Sequence, residues 1–445
     1  MRKNLLKIVA VTTLSLTVLP QSSFADQEPG ISKDEILLGT SYAQTGTSSG
    51  YYSSYFAGAQ AYFSYLNSQG GIYGRKINLI TFDDQGVAPR AAQGVRQLIV
   101  DDKVFALFSS ANSTAAHKIA ATSAQIAKRG VPDVFPILGS SEFRDSKKYS
   151  TTFVLAPSAQ QEARVIASFI KDEFPNLGFN ATVPNDDLGL EVKSAWESIG
   201  FSVSKYTSTV LPDGPIPKVD EKTGAILLTS RIKNSSDRFQ SSSPFIARSE
   251  AVSSINRLIE IPKANWANTY AALYLPLPSD TNDEFVTFFN KIFLTYIPGQ
   301  VIDAKTIEGA NAAYVFAQAL TAVGPQITRQ KLIDFLRAKG NTLSHAGYTP
   351  LNFGADLTAN KASLYFAKFD GVTWSRYSRS YSTELYSSLV SKESPIRSRL
   401  LPNGLPVGNA NSNPATTTIS CVKGKLVKTV IAIKPRCPAG YKVKK

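Results

Sequence analysis

At 445 residues with 43% hydrophobic residues, the chain is too long for one typical domain and apolar enough to fill more than one core, which excludes a small single-core module. The formal charge of +14 is unevenly spread: Arg2, Lys3 and Lys7 carry three of the cations, and the last 25 residues carry eight with no acid. The body between them is close to balanced, so the basic character belongs to a tail and not to the globular part.

Arg2, Lys3 and Lys7 are followed by the apolar run Ile8 to Leu19 and then by Ser23-Phe24-Ala25, small residues at the spacing a signal peptidase accepts. Residues 1–25 therefore read as a cleaved secretory signal. The run is too short and too rich in Thr and Ser to span a bilayer comfortably, and no later stretch is long and apolar enough. No cysteine lies near the cleavage point, so the expected protein is secreted or extracytoplasmic, in the periplasm or cell envelope, and not lipid-anchored.

From Glu35 onward, strand-like apolar runs alternate with helical patterns. Ile36-Leu37-Leu38-Gly39-Thr40 opens the series, and Tyr55, Ala59, Tyr62 and Leu66 then recur at helical spacing. NSQGGIYGRKI, residues 67–77, supplies glycines to end that helix and turn the chain into a strand at Ile77–Phe82. A helix from about Pro89 to Val100, a strand Val104–Phe108, a helix over roughly Ser113–Lys128 and a strand Val134–Leu138 complete a βαβαβαβ unit. That order predicts a parallel sheet with right-handed crossovers and helices on both faces.

After Ala156-Pro157 the pattern restarts, with Ser158 and Gln161 at capping-box spacing. Phe179–Val183, a helix near Leu188–Ile199, Phe201–Tyr206 and Ala225–Thr229 form a second α/β unit. A long helix is expected at about Glu308–Val323 and another at Thr328–Ala338, and Asp370-Gly371 joins Ala362–Phe369 to Val372–Tyr377 as a hairpin. Beyond Ser394 the composition becomes that of a linker, assigned to 394–417. The segment 418–445 alternates Val and Ile with Lys and reads as a small β-hairpin closed by a Cys421–Cys437 disulfide, since a cysteine pair in an exported chain points to a bridge and lacks the histidine a zinc site would need.

GTSYAQTG, FAGAQAYFSYLNSQGGIYGRKI and FDD, in that order between Ile36 and Asp84, resemble the type I periplasmic binding proteins of the branched-chain amino acid (leucine, isoleucine, valine) family, solute-binding components of ABC transporters. By order and spacing of elements the resemblance runs from Ile31 to Tyr377. It implies a two-lobed α/β clamshell, each lobe a parallel sheet flanked by helices, plus the small C-terminal hairpin. Lobe 1 would comprise 31–154 and 278–350, and lobe 2 155–277 and 351–391, with crossings near Leu155, Leu277 and Leu351. Ligand would sit between the lobes, at the carboxyl ends of the strands, and stabilise the closed state by touching both.

Carried across residue by residue, the family's contacts fall on Tyr51, on Ser110 and Ser113 in the turn Ser109 to Ser113, and on Gly139, Ser140 and Ser141. Ser110 and Ser113 could equally be helix caps, and Gly139-Ser140-Ser141 an ordinary strand-to-helix turn. Tyr51 is expected in a loop, where an exposed aromatic favours a ligand-facing role. The family's Asp-x-Tyr-Gly pattern becomes Asp186-Asp187-Leu188-Gly189, so Leu188 replaces the tyrosine that closes over the ligand. Glu250 stands near the position of the carboxylate that pairs a ligand ammonium, although a solvated surface Glu is the favoured reading there, with Arg231 and Arg248 nearby as candidates for a ligand carboxylate or as surface charges.

An enzyme would need a nucleophile with its base, paired acids or metal ligands. His117 and His345 come with no Gly-x-Ser-x-Gly elbow and no His-x-x-x-His pair, and both read as surface residues. Asp83-Asp84 ends a strand, a common place for solvated or capping acids. The expected function is thus a solute-binding protein, not an enzyme and without cofactors, that passes a small polar ligand, an amino acid or related amide or carboxylate, to ABC permease subunits. The alternative is a surface or sensing protein acting through its basic tail on anionic wall polymers or membrane. Nucleic acid is disfavoured, because Tyr441 alone offers the tail a stacking ring.

Overall fold

The computed structural model describes residues 28–46, 49–209, 213–214, 223–228, 231–232, 243–248, 266–356, 360–407, 417–423, 426–432, 437 and 441–443. The leader and Glu250 lie outside them. So do the side chains of Tyr51 and Arg231, although their backbones are placed.

The first unit alternates strand and helix: β1 (Glu35–Tyr42), α1 (Ser49–Ser68), β2 (Lys76–Asp83), α2 (Ala88–Val100), β3 (Ala106–Phe108), α3 (Thr114–Ser123), β4 (Asp133–Val134) and β5 (Thr152–Phe153). Its sheet runs β2-β1-β3-β4-β5, parallel throughout. The strand expected over Val134–Leu138 is only two residues long. Phe135 has a φ of +59°, which breaks the extended run before the rim turn that follows. Gly70 and Gly71, at φ of +101° and +68°, end α1 as its sequence requires; a Cβ at Gly71 would stand 2.0 Å from Arg75 O.

The second unit opens at α4 (Ala159–Glu173), where the Ser158/Gln161 capping box forms. There follow β6 (Gly178–Pro184), α5 (Asp187–Ser198), β7 (Lys205–Thr209), β8 (Asp213–Gly214), β9 (Thr223–Leu227), β10 (Arg231–Ile232), β11 (Phe245–Ala247) and β12 (Thr269–Leu273). Three helices then pack back on the first unit: α6 (Glu284–Tyr296), α7 (Ala304–Ala322) and α8 (Arg329–Lys339). The chain next returns to the second sheet as β13 (Lys361–Phe369), β14 (Trp374–Arg376), β15 (Tyr381–Glu384) and β16 (Ser391–Lys392).

That sheet runs β16-β15-β13-β12-β11-β9-β6-β7, with β14 on β13, while β8 and β10 pair separately. It is mixed and not parallel throughout: β13 to β16 form an antiparallel edge, because the Asp370-Gly371 turn folds β14 straight back on β13. In that turn the Asp370 carboxylate accepts from Val372 N and Thr373 N, both at 2.8 Å. The tail forms β17 (Thr417–Lys423), β18 (Leu426–Ala432) and β19 (Lys442–Val443), an antiparallel sheet joined by the Cys421–Cys437 disulfide.

Residues 394–407, assigned above to a linker, are docked. Leu400, Leu401 and Leu405 pack on the main core, Tyr65 and Tyr62 donate to Asn403 O and Gly404 O at 2.6 and 2.9 Å, and Leu401 N donates to Tyr314 Oη at 3.0 Å. Composition hid this because the segment is held by backbone groups and three spaced leucines, which leave no helical or strand period.

α1 and α7 cross with almost no side chains between them. A Cβ at Gly58 would lie 1.9 Å from Thr306 O, and one at Gly309 1.8 Å from Tyr55 O. Gly309→Ala should force the helices apart and lower stability by roughly 1–3 kcal/mol or more, read as a lower urea midpoint.

Candidate functional site

The carboxyl ends of the parallel strands in both sheets face one another across the cleft, the usual ligand position in open α/β folds. On the lobe-1 side the rim consists of the turns after β1, β3 and β4. After β3, Ser109 and Ala111 are left-handed, at φ of +50° and +51°, a strained geometry held by many bonds. Ser109 Oγ donates to Phe135 O at 3.0 Å and lies 2.7 Å from Tyr55 Oη. Asn112 Oδ1 accepts from Ile137 N at 2.9 Å, and Tyr52 Oη donates to Asn112 O at 2.9 Å.

Ser110 is fully buried, its hydroxyl accepting from Ser41 N at 2.9 Å, so it fastens the rim to β1. Ser113 is exposed and caps α3 by accepting from Ala116 N at 3.2 Å. Tyr51 lies in the first turn of α1 and not in a loop, because the helix starts at Ser49. Beside it, Tyr42 stacks on Phe56 at 3.8 Å and meets Tyr52 edge-on at 6.5 Å, which makes an aromatic corner on this side of the cleft. Asp83 and Asp84 are structural. Asp83 accepts from Gln44 N, Thr45 N and the Thr45 hydroxyl, which hold its pKa below the usual carboxylate range, while burial pushes that of Asp84 up.

Gly139, Ser140, Ser141 and Leu188 come together at the hinge end of the cleft. A Cβ on Gly139 would stand 3.2 Å from Leu188 Cδ1 and 3.6 Å from an Arg248 guanidinium nitrogen, so glycine lets the lobes approach. Ser140 Oγ donates to Glu191 Oε1 at 2.5 Å, and Ser141 N donates to Glu191 Oε2 at 3.0 Å. Glu191 follows Leu188 by three residues on α5, so both point to the same side. Lys118 on α3 bridges Asp187 and Glu142 at 2.5 and 2.6 Å, and these carboxylates hold its ammonium well above the usual lysine range.

The cleft floor is charged and buried. Arg248 Nε pairs with Glu162, and Arg144 donates to Ser140 O at 3.2 Å and to Ala156 O. Burial pushes the Arg144 guanidinium down to about 10 against the opposing pull of Glu191 and Glu162. Glu162 and Glu191 escaped the sequence reading; the signal for Glu191 was its helical spacing from Leu188.

Both histidines are buried, contrary to the expected surface placement. His117 Nε2 lies 3.1 Å from Asp133 Oδ2 and its ring meets Phe143 edge-on, because α3 turns this face against the turn after β4. His345 lies in the return crossing near Arg397, its Nδ1 accepting from Gly347 N at 3.1 Å. Among the described residues no cluster of three or more His, Cys, Asp or Glu side chains is placed to hold a metal ion, and no helix is long and apolar enough to cross a membrane.

Fold and cleft together define a two-lobed periplasmic-binding-protein clamshell of type I. Residues 35–197 match the family model for periplasmic binding protein, a family of solute-binding proteins and not of enzymes. No curated protein matches the sequence. Among solved structures the chain is similar to the branched-chain amino acid transporter substrate-binding protein LivJ from Streptococcus pneumoniae in complex with isoleucine, at 15% identity and a TM-score of 0.64, covering 78% of this chain and 100% of that one. It is similar also to a fatty acid ABC transporter substrate-binding protein from Thermomonospora curvata (17%, TM-score 0.65, 81% and 95% covered). A third is an ABC transporter solute-binding protein from Rhodopseudomonas palustris in complex with 3,4-dihydroxybenzoic acid (15%, TM-score 0.61, 80% and 99% covered).

Burial, and then the Arg397 charge, push the His345 pKa down from 6.5 to about 4. Between those values the unfolded chain binds a proton that the folded chain does not, so stability should fall as pH drops from about 6.5 toward 4, by about 3 kcal/mol in total. Urea unfolding at pH 7 and pH 4.5 should show this component in the wild type and its loss in His345→Asn.

Proposed function

We propose that this chain is the extracytoplasmic solute-binding component of an ABC importer, which takes a small polar ligand, an amino acid or a related amide or carboxylate, into the interlobe cleft and delivers it to permease subunits. The observation that carries this reading is the meeting of Gly139 with Leu188 and Arg248 across the cleft, flanked by the Lys118–Asp187 and Ser140–Glu191 contacts. A ligand placed beside these contacts touches both lobes at once, which is what hinge closure requires. Isoleucine and 3,4-dihydroxybenzoic acid, held by two of the similar structures, both carry a carboxylate, as fatty acids do, and Arg248 supplies a guanidinium at the floor. Leu188 narrows the class toward ligands that need no tyrosine hydroxyl above them.

Thermal denaturation of the mature protein against amino acids, short amides, urea and small carboxylates tests this. A true ligand at a hundredfold excess over its Kd adds about 2.7 kcal/mol and raises the midpoint; no shift with any compound would sink the reading.

The tail favours a second role. Its seven lysines and Arg436 come with no acid from residue 421 onward, on a disulfide-joined sheet of its own, and this suits an anionic wall polymer or lipid surface. A chain ending at Val407 should keep solute binding and lose association with the cell envelope in fractionation; unchanged association would show that the tail is not the tether.

A further inference from the structure

Arg397 stands where three segments meet. Its guanidinium pairs with Asp283, donates to Ala346 O at 2.7 Å, and lies 4.5 Å from the centroid of the Tyr348 ring. Asp283 caps α6, which packs on lobe 1, by accepting from Phe285 N and Val286 N. Tyr348 is buried with Leu277, Tyr365 and Trp374 in a cluster on the lobe-2 sheet. One side chain therefore ties the start of a lobe-1 helix to the lobe-2 core, across both the outward crossing after β12 and the return crossing before β13.

A second guanidinium works on the same ring. Arg376 of β14 lies 5.0 Å from the Tyr348 centroid and 4.4 Å from that of Tyr365, and donates to Tyr348 Oη at 3.2 Å. Arg376 belongs to the lobe-2 sheet and would travel with it. Arg397 is anchored on the other side, since the backbone next to it is fixed to lobe 1: Ser344 Oγ donates to Arg399 O at 2.5 Å, Leu400 N to Glu284 Oε1 at 3.0 Å and Leu401 N to Tyr314 Oη at 3.0 Å. The similar structures are covered almost whole by about four-fifths of this chain, so the other fifth extends beyond what they contain.

We propose that Arg397 is a positioning residue of the hinge: through Asp283, Ala346 and Tyr348 it pins the second and third interlobe crossings in the geometry that brings Gly139 against Leu188, and so sets the balance between open and closed forms. The inference rests on the hinge-closing reading above. Hinges work through a few residues at element ends that absorb the backbone change, and a planar cation that grips both crossings opposes that change. Apparent affinity scales with the fraction of molecules in the binding-competent form, so loosening this grip should weaken binding without any contact to the solute.

The test measures lobe separation without ligand. Among the described residues no cysteine is free, so nitroxide labels at Gln97→Cys and Glu197→Cys, on exposed faces of α2 and α5, report one interlobe distance in the full mature chain. Arg397→Ala should shift the distance distribution toward longer separations and raise the open-to-closed ratio about tenfold. Arg397→Lys, which keeps the charge toward Asp283 but lacks the flat fork, should fall between. Asp283→Asn retains an N-cap and should open the lobes in the same direction, and it carries the test if Arg397→Ala does not fold. Distributions that superimpose on the wild type in folded variants, even with a lower Tm, would overturn the proposal by leaving Arg397 a purely structural role. The distances need no solute, so a failed ligand panel would remove the transport reading while this result still stood or fell by itself.

Discussion

The cleft rim depends on a backbone contact between two helices. Gly58 and Gly309 let α1 and α7 approach until carbonyl oxygens fill the space where side chains would otherwise stand. The residue whose carbonyl meets Gly309 is Tyr55, and the phenol of the same Tyr55 reaches Ser109 at 2.7 Å. Ser109 in turn holds the turn after β4 through Phe135 O and the end of β1 itself through Thr40, whose hydroxyl donates to Ser109 O. Helix spacing is thereby converted into the position of the two rim turns after β3 and β4 relative to β1. The left-handed backbone at Ser109 and Ala111 persists because these bonds over-determine it.

Below the rim, the charges of two arginines and two glutamates offset one another. Burying ions is costly, and a pair such as Arg248–Glu162 returns little net stability compared with a well-packed apolar pair. Removing one partner costs far more, because it leaves the other charge without compensation. The value of this floor is therefore geometric: it fixes where lobe-2 groups stand relative to Gly139, and it does so before any solute arrives. Arg144 contributes by bonding the carbonyls of Ser140 and Ala156, which ties the rim turn to the first crossing.

What could be read from the sequence was local. The capping box at Ser158, the stop at Gly70-Gly71 and the Asp370-Gly371 turn are each written in a few adjacent residues, and each formed as read. α7 begins at Ala304, four residues before the expected start, because its cap is Asp303 answered by Thr306, and not a Ser with Glu or Gln. α6 went unread although Phe285, Phe288, Phe289, Ile292 and Phe293 recur at i, i+3, i+4, i+7 and i+8 behind the Asp283 cap, which is the helical pattern. At the site, single positions such as Gly139 and Leu188 were reachable by motif, whereas Glu162, Glu191 and Arg397 act through partners 50 to 114 residues away. Separations of that kind leave no periodic mark. The burial of His117 was hidden for the same reason, since its partner Asp133 belongs to a strand of only two residues.

The contacts that close the lobes are individually weak. Lys118 and Asp187 are substantially exposed, and solvent-screened pairs of this type contribute little. An equilibrium held by such contacts lies within reach of a ligand, because a solute with a micromolar Kd brings about 8 kcal/mol and needs to spend only part of it differentially. It also lies within reach of the hinge, where a change of 1.4 kcal/mol moves the populations tenfold. The docked strap adds an asymmetry. It fastens residues 397–405 to α1, α6 and α7, so the chain leaves the body toward the basic tail from lobe 1. If the tail holds the protein to an anionic surface, lobe 1 is the stationary half and lobe 2 swings, and solute capture then proceeds without moving the anchor.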